Sequence, residues 1–438
     1  MATINSSQTL NYTTQPTDEY ISAFDSDHTV QNLKRFNLID VGSIKWLKQH
    51  QSLEQLNIQA HKNIAKQQEE YVTESFLTFE KVEFLIYDLI LVQTWKSQIY
   101  PQLKHDLISK NSTTTYFILY HEATLINLLQ IIMMEPRSCQ QCPDALLDLV
   151  DIIDQKLHSL IHWTHTHSDP LTIDDETRFN ESIQEMEFII ALNTLSILRS
   201  ISDTITTLSI TLINKILIDK DLVSVLVLVL ESSPWIRNLT TLQRFENMQW
   251  VNITPEDMLV VSHPEGQVWL SLMNLLLEPN CRKTYLYSKK NQTIVLRLKD
   301  YMGEETVDQL PPLVDLQRYL EELGLLEVPD TINPSIGIQP VSTLHTQIAA
   351  QYTPTMVETH RELLVNMSTC DRKSMADSLA QMYDLTDMMD LLSDPKCGAC
   401  GIMATQRCSL CKSEWYCGRA CQVKNWKSHK SICELLRK

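Results

Sequence analysis

Glycine is what this chain most lacks. Only eight glycines occur in 438 residues, and three of them, Gly398, Gly401 and Gly418, stand inside one cysteine-rich stretch near the C-terminus. Phosphate-cradling loops, nucleotide-binding turns and tight hairpins use glycine for positive φ and for close backbone approach, so the scarcity argues against nucleotide-binding folds. Helices joined by short polar turns tolerate it best. The expected class is mainly α.

Hydrophobic periodicity agrees. After Pro143, the residues Leu146, Leu149, Val150, Ile153, Leu157, Leu160 and Ile161 recur at steps of three and four, with Asp148, Asp151 and Asp154 off that stripe. "HEATLINLLQIIMM" gives a second stripe at Leu125, Leu128, Leu129 and Ile132, with His121-Glu122 expected to open the helix. Similar patterns cover 79–100, 181–200, 205–232 and 266–277. Successive helices suggest an irregular helical-repeat body of armadillo or HEAT type over 27–326, although no fixed-period repeat is found. "FENMQWVNITPED" (245–257) alternates like a short hairpin and is expected as an insertion.

Residues 1–26 are Ser/Thr/Asn/Gln-rich and are expected as a flexible arm. Pro329, Pro334 and Pro340 mark 327–341 as a linker. Further helices are expected over 342–394, ahead of the cysteine cluster. The start of the chain has neither a basic end nor an apolar stretch, so a signal peptide is not expected and the cytosol or nucleus is. The most apolar run, "LVSVLVLVL" (222–230), is far short of the roughly 20 residues that span a bilayer. No transmembrane segment is expected.

Charge is unevenly placed. Residues 396–438 hold nine Lys or Arg against two acids, a formal +7, so residues 1–395 carry −24 of the net −17. Nucleic acid and anionic membrane are read through Lys and Arg, and an acidic body would be repelled by both. Proteins are the expected partners.

The last stretch packs seven of the eleven cysteines into the pattern C-x2-C-x7-C-x2-C-x5-C-x3-C-x7-H-x3-C, formed by Cys397, Cys400, Cys408, Cys411, Cys417, Cys421, His429 and Cys433. Each C-x2-C lets two thiolates reach one ion from a tight knuckle, and His429 and Cys433 are one helical turn apart. Eight such ligands make two closed zinc sites. A closed site keeps no open position for water or substrate, so it stabilises structure and activates no nucleophile.

This tail resembles a MYND-type zinc finger in its ligand order, its Tyr416-Cys417 step and its terminal "CQ…W…H…C". The resemblance implies interleaved ligands: Cys397, Cys400, Cys417 and Cys421 on one zinc, and Cys408, Cys411, His429 and Cys433 on the other. It also implies a groove for short proline-containing peptides lined by Gln422 and Trp426, which suits an indole face against proline. Two positions depart from the family pattern. Asn425 stands where an acid is frequent, which leaves open the charge of a bound peptide, and Gly418 stands where Ser is common. The helix with paired histidines that enters the DNA major groove is absent.

Other clusters read as structural. "HSLIHWTHTHSDP" holds His158, His162, His165, His167 and Asp169 and is expected as a solvated helix end. Cys139 and Cys142 have thioredoxin-like spacing but lack the strand-to-helix setting that activates a thiol, and are expected in a loop. His121-Glu122 has no second His four residues after the first, so it is not a zinc-protease helix. No GxSxG, Walker or kinase-loop pattern occurs, and no enzyme activity is expected. Methyltransferases that carry such a finger have it interrupt a glycine-rich domain; here it is terminal.

Body stretches including "HEATLINLL", "LLDLVDII", "SPW", "GQVW…NLLL" and "DQLP" resemble a family of axonemal dynein arm assembly factors with a terminal MYND finger. The resemblance implies a cytoplasmic adaptor or co-chaperone, placed at centriolar satellites or in the apical cytoplasm of ciliated cells. Its implied partners are a leucine-rich-repeat, CS-domain assembly factor, heat-shock chaperones with their co-chaperones, and axonemal dynein chains as clients. A nuclear corepressor adaptor is the alternative.

Overall fold

In a computed structural model of the chain, the described residues are 20–164, 174–238, 241–331 and 343–366, and in the C-terminal segment 397, 399–400, 404, 406–408 and 415–435. Residues 1–19 of the expected arm, the linker residues 332–341, residues 342 and 367–394 of the expected C-terminal helices, and His165, His167, Asp169 and Cys411 lie outside them. The chain divides into two compact units, 1–366 and 367–438.

The first unit is mainly α. Its helices are α1 (Ala23–Gln31), α2 (Ile44–Ala65), α3 (Tyr71–Thr78), α4 (Val82–Gln98), α5 (Tyr100–Ile132), α6 (Pro136–Gln141), α7 (Ala145–Ile161), α8 (Asp175–Asp203), α9 (Ile210–Asn214) and α10 (Leu222–Ser232). A small sheet follows, β1 (Ile236–Asn238), β2 (Leu242–Glu246) and β3 (Gln249–Asn252). Then come α11 (His263–Leu277), α12 (Pro279–Thr284), α13 (Lys289–Leu296), α14 (Glu304–Gln309), α15 (Leu313–Gly324), α16 (Thr343–Ala349) and α17 (Thr355–His360). Helix α5 is broken by a kink at Asn111, where φ is −151° and ψ is 49°; the other helices run from five to 29 residues, and these lengths assign no repeat type.

Polar side chains start these helices where the sequence offers them. Ser43 accepts from Trp46 N–H, Asp174 from Thr177 N–H, and Ser262 with Glu265 forms a capping box. Helix α5 lies against α2, α4 and α8; α7 against α4, α8, α10 and α16; α11 against α8, α10 and α15. The valine-rich α10 could have formed a strand by propensity. It is helical because Asp221 caps it and its apolar residues are buried on every side among α7, α11 and α13, each contributing roughly 1.5–3 kcal/mol.

Glycine scarcity shows in the turns. Among the described residues, Gln67, Glu80, Asp221, Ser233, Asn247 and Met248 all hold positive φ without being glycine. Such positions cost on the order of 1–3 kcal/mol each. Among the described glycines, Gly42 holds a positive φ, +83°, and a Cβ there would stand 2.9 Å from Ile118 Cδ1 and 3.0 Å from Leu364 Cδ2.

The hairpin expected over 245–257 is present as β2 and β3, joined at Asn247-Met248, and β1 adds a third antiparallel strand that the pattern did not reveal. One face packs on α8, where Phe188 meets Phe245 and Trp250 at ring centroids 5.3 and 5.5 Å away.

Three local expectations are corrected. His121-Glu122 does not open a helix; it lies deep in α5 and is buried. His121 pairs with His50 (Nδ1 to Nδ1, 2.8 Å) and with Asp88 (2.9 Å), while Glu122 accepts from Lys96 (2.8 Å) and from Lys156. Cys139 and Cys142 are not in a loop: the first is in α6, the second ends it, and both are buried, which pushes their thiols up. Asp148, off the apolar stripe, is nonetheless buried, because α16 crosses α7 there.

Candidate metal centres

The second unit is built around its own cysteines. Strands β4 (Gln406–Arg407) and β5 (Trp415–Tyr416) pair antiparallel, Gln406 with Tyr416 and Arg407 with Trp415, and β5 delivers Cys417. Gly418 then leads into α18 (Arg419–Leu435), which carries Cys421, His429 and Cys433. Cys400 N–H closes a turn on Cys397 O at 3.2 Å, the knuckle that lets a C-x2-C pair converge.

Cys397, Cys400, Cys417 and Cys421 form one cluster, with every sulfur within 4.8 Å of the others. Cys400 to Cys417 is 3.6 Å, Cys417 to Cys421 is 3.4 Å and Cys421 to Cys400 is 3.8 Å. Four sulfurs at about 2.3 Å from one tetrahedral zinc lie about 3.8 Å apart, so the donor set fits zinc. Burial would raise the Cys397 thiol, yet the amides of Cys417, Ala399 and Cys400 draw it down to about 6. Cys421 and Cys400 push Cys417 up to about 12. Four thiolates this close need a cation between them.

Cys408, His429 and Cys433 form the second cluster, all three buried, with Cys408 and Cys433 sulfurs 3.8 Å apart. Residues 429 and 433 share a face of α18. These donors fit a second zinc; the fourth ligand named by the family pattern, Cys411, is outside the described residues. When bound, the two ions supply structure: zinc ligation replaces the hydrophobic core that a segment of this size cannot build. Cys397, Ala404, Cys408, Tyr416 and Cys433 are the buried centre, with Ala399, Trp415, Cys421 and Trp426 packed on it.

Gln422 and Trp426 are four residues apart on α18 and both are half-buried. Trp426 packs on the finger core, its ring 6.0 Å from that of His429, and keeps part of its surface in solvent. Asn425 donates from Nδ2 to the Tyr416 hydroxyl at 3.4 Å, a role that its departure from the family pattern did not suggest. At Gly418 a Cβ would meet nothing within 4 Å, so the serine common in the family would fit.

Of the histidines in the stretch from His158 to His167, only His158 and His162 are among the described residues. His158 Nδ1 bonds to Asp154 O and His162 Nδ1 to His158 O, both 2.9 Å, so each ring is engaged with its own helix. Among the described residues, no metal-ligating group other than the two clusters is found, and no helix is long and apolar enough to cross a membrane.

Comparison with known proteins places these features. Residues 397–433 match the family model of the MYND finger. Over 441 residues, 92% of this chain and 96% of the relative, the chain is 27% identical to the zinc finger MYND domain-containing protein 10 homolog of Drosophila melanogaster. It is 30% identical over 110 residues to Tudor domain-containing protein 1 of Mus musculus, covering 24% of this chain and 9% of that protein. It is 49% identical over 43 residues to ubiquitin carboxyl-terminal hydrolase 19 of Arabidopsis thaliana, 10% of this chain and 6% of that protein. No solved structure matches the chain.

Proposed function

We propose that this chain is a protein-binding adaptor without catalytic activity of its own, and that it serves the cytoplasmic preassembly of axonemal dynein arms. The observation that carries the reading is end-to-end similarity to a MYND-finger protein, 92% of this chain against 96% of the relative, so body and finger are shared as a unit. The body stretches that resemble dynein arm assembly factors support the finer assignment. The metal chemistry supports the coarser one: the four sulfurs of Cys397, Cys400, Cys417 and Cys421, spaced for tetrahedral zinc, leave that ion no open coordination position, so the site holds shape and the finger offers a surface.

In this reading the finger engages a leucine-rich-repeat, CS-domain assembly factor through Gln422 and Trp426, and the helical body holds chaperones or dynein chains. Metal-ligating thiols suit the reducing cytosol. Fractionation of ciliated cells followed by affinity purification tests it. Cytoplasmic chaperones and dynein chains are expected, with dynein arms missing from axonemes after loss of the gene. Chromatin-bound repressor complexes, or complete arms after gene loss, would overturn it in favour of a nuclear adaptor.

A further inference from the structure

The sheet's second face carries a feature that neither zinc nor the helical core explains. Arg244 and Val251 are paired across β2 and β3 and so project from the same side. Arg244 is buried and its Nη1 donates to Asp257 O (2.7 Å) and Val260 O (2.9 Å), tying down the 3₁₀ turn Glu256–Leu259. From α14, Gln309 Nε2 donates to Leu259 O (2.7 Å) while its Oε1 accepts from Val261 N–H (2.9 Å). Thr254 N–H is held by the Asp257 carboxylate at 2.8 Å.

The backbone of this turn is therefore fixed by groups that do not depend on its own apolar side chains. Those side chains face water: Leu259 is 56% exposed, Val260 49%, Met258 44% and Val251 41%. Three exposed apolar side chains on a fixed turn, with Val251 on the adjoining strand, are a preorganised contact that binds with little ordering cost.

Charge selects the partner. Glu256 and Asp257 lie in the turn itself and Glu246 stands beside Arg244, while no Lys or Arg occurs from Phe245 to Cys281. The adjacent Arg244 is buried and paired with Glu246. Nucleic acid and anionic membrane are repelled by such a rim, and a second copy of the chain would bring the same acids to the contact. We infer that Val251 and Met258–Val260 form a second protein-docking knob, independent of the finger, that seats in an apolar pocket edged by lysine or arginine on a partner protein.

The test uses the full chain with photoreactive benzoylphenylalanine in place of Met258, expressed in cells that make the protein naturally, with crosslinked peptides sequenced by mass spectrometry. One other protein should be captured, through a peptide that combines apolar residues with Lys or Arg. The purified captured protein should then bind the unlabelled full chain, with Kd raised at least tenfold by Leu259→Ser, and separately by Glu256→Lys, and raised by added salt. Trp426→Ala should leave the crosslink in place. Both knob positions are exposed, and an unchanged unfolding midpoint checks that the variants fold. Crosslinks only between copies of this chain, crosslinks to nucleic acid, no crosslink, a Kd indifferent to Leu259→Ser, or loss of the crosslink in Trp426→Ala would each overturn the proposal.

Discussion

Asp148 and His345 are joined across nearly two hundred residues: the buried Asp148 carboxylate on α7 accepts from both the backbone N–H and the Nδ1 of His345, each at 2.9 Å. It also accepts from Leu344 N–H at 3.2 Å. One acid thereby supplies the start of α16 and ties residues 343–366 back onto α7. Further along the same stretch, Gln351 Oε1 accepts from Leu38 N–H and Asn111 Nδ2 donates to Leu364 O.

Asp148→Ala should free this stretch from the body. Hydrogen bonds to a charged group contribute roughly 1.5–3 kcal/mol, and the α16 amides would lose theirs. Limited proteolysis should cut within 343–366 many times faster than in the wild type, with α2 to α5 still protected.

Gly42→Ala should destabilise the first unit by about 1–3 kcal/mol, since alanine must adopt positive φ and its Cβ meets Ile118 and Leu364. Gly418→Ala should be within about 0.5 kcal/mol of neutral, because the space there is open. Denaturant unfolding of the two variants checks the contrast.

Acid should loosen the α2–α5 contact before the rest of the body. Burial first, and then His121, holds His50 well below the ordinary histidine range, so the folded state keeps it neutral while an unfolded chain protonates it below about pH 6.5. Stability from this group is complete above that pH and declines as pH falls, by up to about 1.4 kcal/mol per unit. Burial would raise Glu122, but Lys156 and Lys96 hold it well below the carboxylate range, and its contribution is lost at still lower pH, below about 4.5. Hydrogen-exchange protection factors of peptides from α2 and α5, corrected for the intrinsic pH dependence of exchange, should fall between pH 7 and 5.5, and His50→Gln should flatten that dependence.

Cys421→Ser should lower bound zinc from two ions per chain to one, and a strong chelator should remove both. Because ligation is the folding energy of such a segment, the near-ultraviolet signal of Trp415 and Trp426 should collapse on chelation. The far-ultraviolet helix signal of the first unit should stay.

Much of this was legible in the sequence because it rests on short-range chemistry. The cysteine spacing shows a metal module before any fold is known, since a knuckle and a helical turn each fix where two ligands go. The helices of the body follow from apolar period and from few glycines. What stayed hidden was long-range. Nothing local distinguishes Asp148, buried under α16, from Asp151 or Asp154, and nothing local shows that the His121 and Glu122 side chains meet His50 and Lys156. Cys139 and Cys142 are inert for the same reason: their burial is set by helices distant in sequence.

Trp426→Ala in ciliated tissue, with wild type and variant purified side by side, decides whether the finger acts by holding a partner. Two zinc ions per chain should remain in both, and quantitative mass spectrometry should show the leucine-rich-repeat, CS-domain factor falling at least tenfold with the variant. An unchanged partner profile, with zinc and fold intact, would show that Trp426 does not hold a partner.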